Sequence, residues 1–231
     1  IDFIAMHGQT IWHNPNNMDG YFSSTLQIGD PSVVAYELNK TVISNFRTMD
    51  MAAGGSGAPL MPYAHYLMFK NENKNIAVQN IGGIGNVTYI KGSDIIAFDT
   101  GPGNMLIDGA MQKLYNLAFD DSGSIASSGK IIKEVLADLL DDEYLTLSYP
   151  KSTGREKYNS VFLDNVIEEC LKYTTKNEDI ITTLTAYTAA TIVKEYELFL
   201  DGVEKVVVAG GGANNKYIIT IARQFGSGGR E

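Results

Sequence analysis

In residues 94–108, DIIAFDTGPGNMLID, a short apolar run ends on Asp99 and two closely spaced glycines follow. A carboxylate closing a buried strand ahead of a glycine turn stands where α/β enzymes keep their chemistry, which makes Asp99 the foremost catalytic candidate. Residues 100–104, TGPGN, have turn composition that predicts an end to the strand. The amides around Gly101 and Gly103 can approach a phosphate closely, because glycine has no Cβ in the way. An ordinary strand-to-helix turn capped by an acid fits the same residues. Two further glycine turns follow apolar runs. Residues 80–86, NIGGIGN, lie between the strand-like 76–79 and 87–90, the pattern of a hairpin with glycine at its turn. Its spacing matches neither the strand–GxGxxG–helix nor the GxxxxGK[ST] pattern. Residues 205–209, KVVVA, run into GGGANN, after which Lys216 opens a helix. Three glycines there let a flat group such as a purine lie against the backbone, with Asn214 at the start of the helix. Each turn also reads as a tight turn without a ligand. Together, three such turns after three strands, one carrying an acid, suit an enzyme that holds a nucleoside triphosphate between two lobes.

Earlier in the chain, HGQTIWHNP (residues 7–15) puts an imidazole, a bare backbone, an amide and a hydroxyl at the end of an opening strand, a set suited to a polyhydroxylated ligand. His7 and His13 are wrongly spaced for two metal ligands one helical turn apart, and no acid cluster lies nearby, so no metal site is expected. Asp19–Gly20 predicts a turn, 25–30 a strand and loop, 31–40 a helix and 41–44 a strand, a βαβ rhythm. Arg47 then offers a fork of donors for a carboxylate or phosphate, beside Asp50 and a glycine-rich loop at 54–57. A surface Arg–Asp pair on a loop is the rival reading.

The elements that must position these residues become mostly helical after Asp99. Helices are predicted over 104–115, 130–140 and 182–200, and Thr153 to Glu156 fits a capping box that starts another, with Tyr158, Val161, Phe162, Val166 and Cys170 inward. Lys151, Arg155 and that helix start also offer a site to an anion. Residues 225–231 read as a flexible tail. The chain has 231 residues, 44% of them hydrophobic, enough for one large or two modest domains with a real core. Its net charge of -9 argues against nucleic acid or an anionic membrane as a general partner, while leaving room for a local phosphate pocket. A lone cysteine and the lack of a bilayer-length apolar run point to a soluble, cytoplasmic protein. The opening IDFIAM reads as the inside of a strand, which suggests a fragment.

HGQTIWHNP, LQIGD, NFRTMDMAAGGSGAPLMPYAH, QNIGGIGNVTYI, AFDTGPGNMLID, PKSTGREKYN and VVVAGGGANN, in this order, resemble the anhydro-N-acetylmuramic acid kinases of the sugar-kinase, Hsp70 and actin superfamily. The resemblance implies a two-lobed α/β, ribonuclease H-like fold, incomplete at both ends. Residues 1–90 would be the rest of an N-terminal lobe with substrate loops, and 91–231 a nucleotide-binding lobe. It implies ATP and Mg²⁺ as cofactors, an amino sugar as substrate, and a homodimer. Asp99 would be the catalytic base. His7, Gln9, Arg47, Asp50 and Asn104 would meet the sugar, and Gly82, Gly83, Asn86, Gly101, Gly103, Gly210, Gly211, Gly212 and Asn214 the nucleotide. Asn45 stands where the family usually has an acid, and the family's N-terminal phosphate hairpin and second active-site acid have no counterpart in these residues. A truncated sugar-binding module and a kinase for another amino sugar are the alternatives.

Overall fold

The computed structural model describes residues 1–14 and 22–227, so the turn expected at Asp19–Gly20 lies outside the described residues. Two compact units divide at 64/65. In the first, β1 (Phe3–Ala5) pairs in parallel with β4 (Thr41–Ile43), and β2 (Gln9–Asn14) pairs antiparallel with β3 (Ser24–Ile28). The helix α1 (Pro31–Leu38) therefore connects two separate sheets. The expected βαβ unit is absent, because β4 takes β1 as its partner in place of β3. The helix is locally well specified: Asp30 caps it by accepting from the Ser32 N–H, Pro31 opens it, and Asn39 closes it in the left-handed conformation. Residues read as a loop around Arg47 form a second helix, α2 (Phe46–Ala52).

In the second unit, β5 (Ile76–Ile81), β6 (Ile84–Lys91) and β7 (Asp94–Pro102) make an antiparallel meander, and β8 (Lys205–Ala209) adds in parallel to the free edge of β5. The expected hairpin is present, with Gly82 and Gly83 at its turn. The expected break at residue 100 is not, since β7 continues through Thr100, Gly101 and Pro102. Pro102 is tolerated because β7 is an edge strand. One face of the sheet buries Ala77, Val87, Tyr89 and Phe98 with Leu200. On the other face Thr88 meets His65 of α3 (Met61–Phe69), 2.9 Å between Oγ1 and Nδ1. Residue 90 lies on β6, in the same sheet as β7.

The main core is helical. It joins α4 (Met105–Tyr115), α5 (Lys133–Leu140), α6 (Ser160–Cys170), α7 (Asn177–Phe199) and α8 (Lys216–Ser227). The helix α6 begins at Ser160, beyond the predicted capping box at Thr153 to Glu156, because Asn159 supplies the cap by accepting from the Phe162 N–H. Its Val161 points to solvent, contrary to the expected stripe. The predicted tail is also shorter, since α8 runs to residue 227. Buried through most of its length, α7 carries Thr182, Thr183, Thr185, Thr188 and Thr191 inside. Thr182, Thr183 and Thr185 return their hydroxyls to carbonyls one turn back, which removes the cost of burying them. Thr188 instead donates 2.8 Å to the Gly103 carbonyl, linking the core helix to the β7–α4 turn.

Candidate active site

Register brings three polar residues into a row. Asn80 on β5 pairs with Asn86 on β6, and Asn86 pairs with Asp99 on β7, after a bulge between Gly85 and Asn86. Paired residues share a sheet face, so the acid and two amides line up half-buried across the end of the meander. Asn80 stands in this row although the sequence did not single it out. Its signal was the alternation in QNIGGIGN, legible only once the bulge fixes which residue lies opposite Asp99.

Asp99 is held at its backbone N–H, its carbonyl and one carboxylate oxygen by one segment. Its Oδ2 accepts from the Thr153 N–H at 3.0 Å, its own N–H donates to the Lys151 carbonyl at 3.2 Å, and its carbonyl accepts from the Tyr144 hydroxyl at 2.7 Å. Burial pushes its carboxyl above the ordinary range, the Thr153 N–H draws it back down, and the negative charge of Glu156 pushes it up. A carboxylate so placed keeps one oxygen free of these partners and can accept a proton. Lys151, offered by the sequence as one of two cations near an anion, instead forms a buried ion pair with Glu195.

The three glycine turns meet at the end of β5. The Gly103 N–H donates to the Gly83 carbonyl at 2.9 Å, and the Asn104 N–H to that of Gly82 at 2.7 Å. The Met105 N–H also reaches Gly83. A Cβ on Gly103 would collide with the Gly82 carbonyl oxygen, and one on Gly210 would sit 2.7 Å from that of Ile81. Glycine is required at these two positions by the approach of backbone to backbone. Gly101 lies in β7 at φ +116°, against Thr191. Gly212 is buried against Ile81. At Gly82, Gly83 and Gly211, by contrast, the nearest atoms leave ordinary contact distances of 3.5–3.8 Å. Asn104 donates its side-chain amide to the Ile81 carbonyl at 3.1 Å, so it ties β5 to α4. Asn214 is exposed on the last turn, and the cap of α8 is its neighbour: Asn215 Oδ1 accepts from the N–H groups of Tyr217 and Ile218.

Two hollows open beside the converged turns. One of about 760 Å³ is lined by Gly83, Met105, Asp108, Lys113 and Arg155, and one of about 340 Å³ by Asn104, Asp108, Phe119, Gly211 and Asn214. Both are of ligand size. Asp108 borders both, and burial pushes its carboxyl up to about 6.

In the first unit, Arg47 and Asp50 both grip Gly57. Arg47 Nη1 donates to its carbonyl, and Asp50 Oδ2 accepts from its N–H, each at 2.7 Å. Both side chains therefore order the glycine-rich loop. Arg47 Nε is buried and finds no partner among the described residues. His13 packs near this arginine, and burial together with the guanidinium charge lowers its pKa. His7 and Gln9 are exposed, bonding only to the adjacent carbonyls of Gly8 and Thr10. Among the described residues no group of three or more His, Cys, Asp or Glu is arranged to hold a metal ion.

The family model for anhydro-N-acetylmuramic acid kinase matches residues 1–227. A relative of that name from Clostridioides difficile (strain 630) is 51% identical over 97% of the chain, and one from Bacillus cereus (strain G9842) is 45% identical over 96%. The chain spans 60% of the length of each. Among solved structures, the activator of the 2-hydroxyisocaproyl-CoA dehydratase from Clostridium difficile, with bound ADPNP, matches 89% of this chain and 77% of its own. Its TM-score is 0.50 at 17% identity, a likeness of fold. The architecture is thus a mixed α/β fold of the sugar-kinase, Hsp70 and actin type, as expected.

Proposed function

The chain belongs to the anhydro-N-acetylmuramic acid kinase family, and from that premise we propose what the protein containing it does. It hydrolyses the 1,6-anhydro bridge of 1,6-anhydro-N-acetylmuramic acid and phosphorylates O6 from ATP, giving N-acetylmuramic acid 6-phosphate and ADP in peptidoglycan recycling. The observation that carries this reading is the Asp99 carboxylate, held by Thr153 within β7, two residues before Gly101 of the converged glycine turns.

In this mechanism Asp99, ionised, accepts one proton from a water molecule whose oxygen attacks the anomeric carbon. The bond from that carbon to the bridging oxygen breaks, and the released O6 attacks the γ-phosphorus, with ADP as the leaving group. The proton on Asp99 then passes to solvent. Asn86 and Asn80, beside the acid, are suited to orienting the water or a sugar hydroxyl. Arg47 would take the lactyl carboxylate, supported by its Nε, which has no partner among the described residues, with His7, Gln9 and Asp50 around the sugar. Gly82, Gly83 and Gly211 leave room at their Cα atoms for phosphates and nucleoside to approach, with Asn104 and Asn214 at the smaller hollow. Gly101, Gly103, Gly210 and Gly212 would serve the nucleotide by shaping those turns. Among the described residues no group of three or more His, Cys, Asp or Glu is arranged as a metal site, and Mg²⁺ enters this reading together with the triphosphate. Cytoplasmic action, where ATP is available, and a homodimer belong to the same proposal. No helix among the described residues is long and apolar enough to cross a membrane.

The test is mass spectrometry of the full-length protein with ATP, Mg²⁺ and the anhydro sugar in ¹⁸O-water, quenched early. One water oxygen should appear on the anomeric carbon of the sugar phosphate, and Asp99→Asn should abolish it. Unlabelled phosphorylated sugar, or an undiminished mutant, would refute the mechanism.

A further inference from the structure

The segment that holds Asp99 is itself anchored by an ion pair inside the protein. Lys151 and Glu195 have side chains 3% and 0% exposed, and Nζ lies 2.7 Å from Oε1. The same ammonium donates to the Tyr144 carbonyl at 3.1 Å and sits 4.9 Å from the ring centres of both Tyr144 and Phe199, and 5.7 Å from that of Phe98. Such a pair is an expensive way to join two elements. Desolvating both charges costs several kcal/mol, and apolar side chains of equal volume hold elements together as well or better. The cost is visible at Glu195, where burial pushes the carboxyl up to about 7 against the pull of Lys151, and where Oε2 has no partner among the described residues.

What apolar packing would lack is direction. The pair fixes Lys151 along its length, and the backbone of Lys151 is what receives the Asp99 N–H. Two residues on, Thr153 supplies the N–H to Asp99 Oδ2. Tyr144, the second acceptor of the ammonium, supplies the hydroxyl to the Asp99 carbonyl. Three hydrogen bonds to Asp99 thus come from a segment whose two ends meet at one buried cation, and that cation is locked to the core helix α7. We propose that the Lys151–Glu195 ion pair is a positioning device for Asp99, holding the 144–153 segment so that the carboxylate keeps the aim its chemistry needs. The two residues act through Thr153 and Tyr144 and touch no reacting atom. The proposal rests on the kinase reading for its kinetic consequence, and on geometry alone for its effect on Asp99.

The experiment uses the full-length protein with Lys151→Met/Glu195→Met, which removes both charges at similar volume, and with Glu195→Gln, which keeps an acceptor for the Lys151 ammonium. Two quantities are read: steady-state kinetics across pH, and the ¹³C titration of the Asp99 carboxyl, assigned from its loss in Asp99→Asn. Groups facing this carboxyl are the Thr153 N–H, Glu156, the Tyr144 hydroxyl and the balanced Lys151–Glu195 pair. In the double variant the Thr153 bond loosens. The Asp99 titration and the acidic limb of kcat then move to higher pH, and kcat falls about 10- to 100-fold with KM for both substrates little changed. In Glu195→Gln the titration does not rise. A folded double variant with wild-type titration and kcat overturns the proposal, as does an upward move in Glu195→Gln. Should the double variant not fold, Glu195→Gln decides alone: an upward move of the Asp99 titration overturns the proposal, and a titration at or below the wild-type position upholds it. An Asp99 titration that moves up in the double variant as expected, where the wild-type protein itself has no kinase activity, would support the positioning role and refute the kinase reading instead.

Discussion

Replacing Gly103 with alanine would drive a methyl group into the Gly82 carbonyl oxygen, and to 3.0 Å from the Ile84 carbonyl carbon. Both obstacles are backbone, so neither can swing aside. Ordinary contact begins at 3.4 Å, and restoring it requires the two turns to part by about 1 Å. That displacement breaks the bonds from the amides of Gly103, Asn104 and Met105 to Gly82 and Gly83. At about 1 kcal/mol each, the loss is about 3 kcal/mol, or a fall in melting temperature of roughly 6–12 °C in a protein of this size. Gly83→Ala is the control, because its Cβ would lie 3.8 Å from the nearest atom, Met105 Cβ. It should melt within roughly 2 °C of wild type. If Gly83 faces phosphate, however, its KM for ATP should rise roughly tenfold, about 1.4 kcal/mol of lost contact. Calorimetry and coupled ADP assays on the full-length protein separate the two. A Gly103→Ala protein as stable as wild type would refute the account of interlocked turns, and an unchanged KM in Gly83→Ala would remove Gly83 from the phosphate site.

Asn215→Ala should cost about 1–2 kcal/mol in urea unfolding, since it uncaps α8 at both the Tyr217 and Ile218 amides. Thr188→Val keeps the shape of the core but strands the Gly103 carbonyl, for a loss of about 1–2 kcal/mol by the same measurement. Asp108→Asn should stabilise the protein in a pH-dependent way. The carboxyl is raised in the folded state, to about 6 from 3.8, so its ionisation opposes folding: the penalty is absent below the ordinary value and complete above about 6. The full linkage would be about 3 kcal/mol, which solvent at the partly open carboxylate reduces to about 1. The gap between mutant and wild type should therefore widen from pH 4 to 7, and a constant gap would count against the assigned burial of Asp108.

Asp99, the three glycine turns and the long core helix were legible because each is a local signal: an apolar run, a punctuation by glycine, a stripe at helical spacing. The row Asn80–Asn86–Asp99 was not, since it depends on cross-strand register, and a bulge shifts that register by one residue. For the same reason β7 was expected to stop at residue 100, whereas pairing with β6 carries it through Gly101 and Pro102. The helix holding Arg47 and Asp50 was hidden by its ordinary composition, and its sequence offers no capping bond at Asn45. The burial of Lys151 was not legible, since its partner, Glu195, lies 44 residues on in a helix that only the fold brings beside it. Local chemistry identified what could act; long-range contacts decide how it is held.

The parallel pairing of β8 with β5 has a consequence for the order in which the site is built. The meander from β5 to β7 is contiguous and closes through short turns, whereas Ile76 must wait for Lys205 before the fourth strand can dock. Contacts between near neighbours in the chain form fastest, and a strand recruited from far along it arrives late. During synthesis, Asp99 and the Gly82–Gly83 turn can therefore stand assembled on an open sheet edge while residues 210–215 are still to come. The free edge of β5 is then the surface that must be kept from pairing with another chain, and the last strand both covers it and completes the wall of glycines.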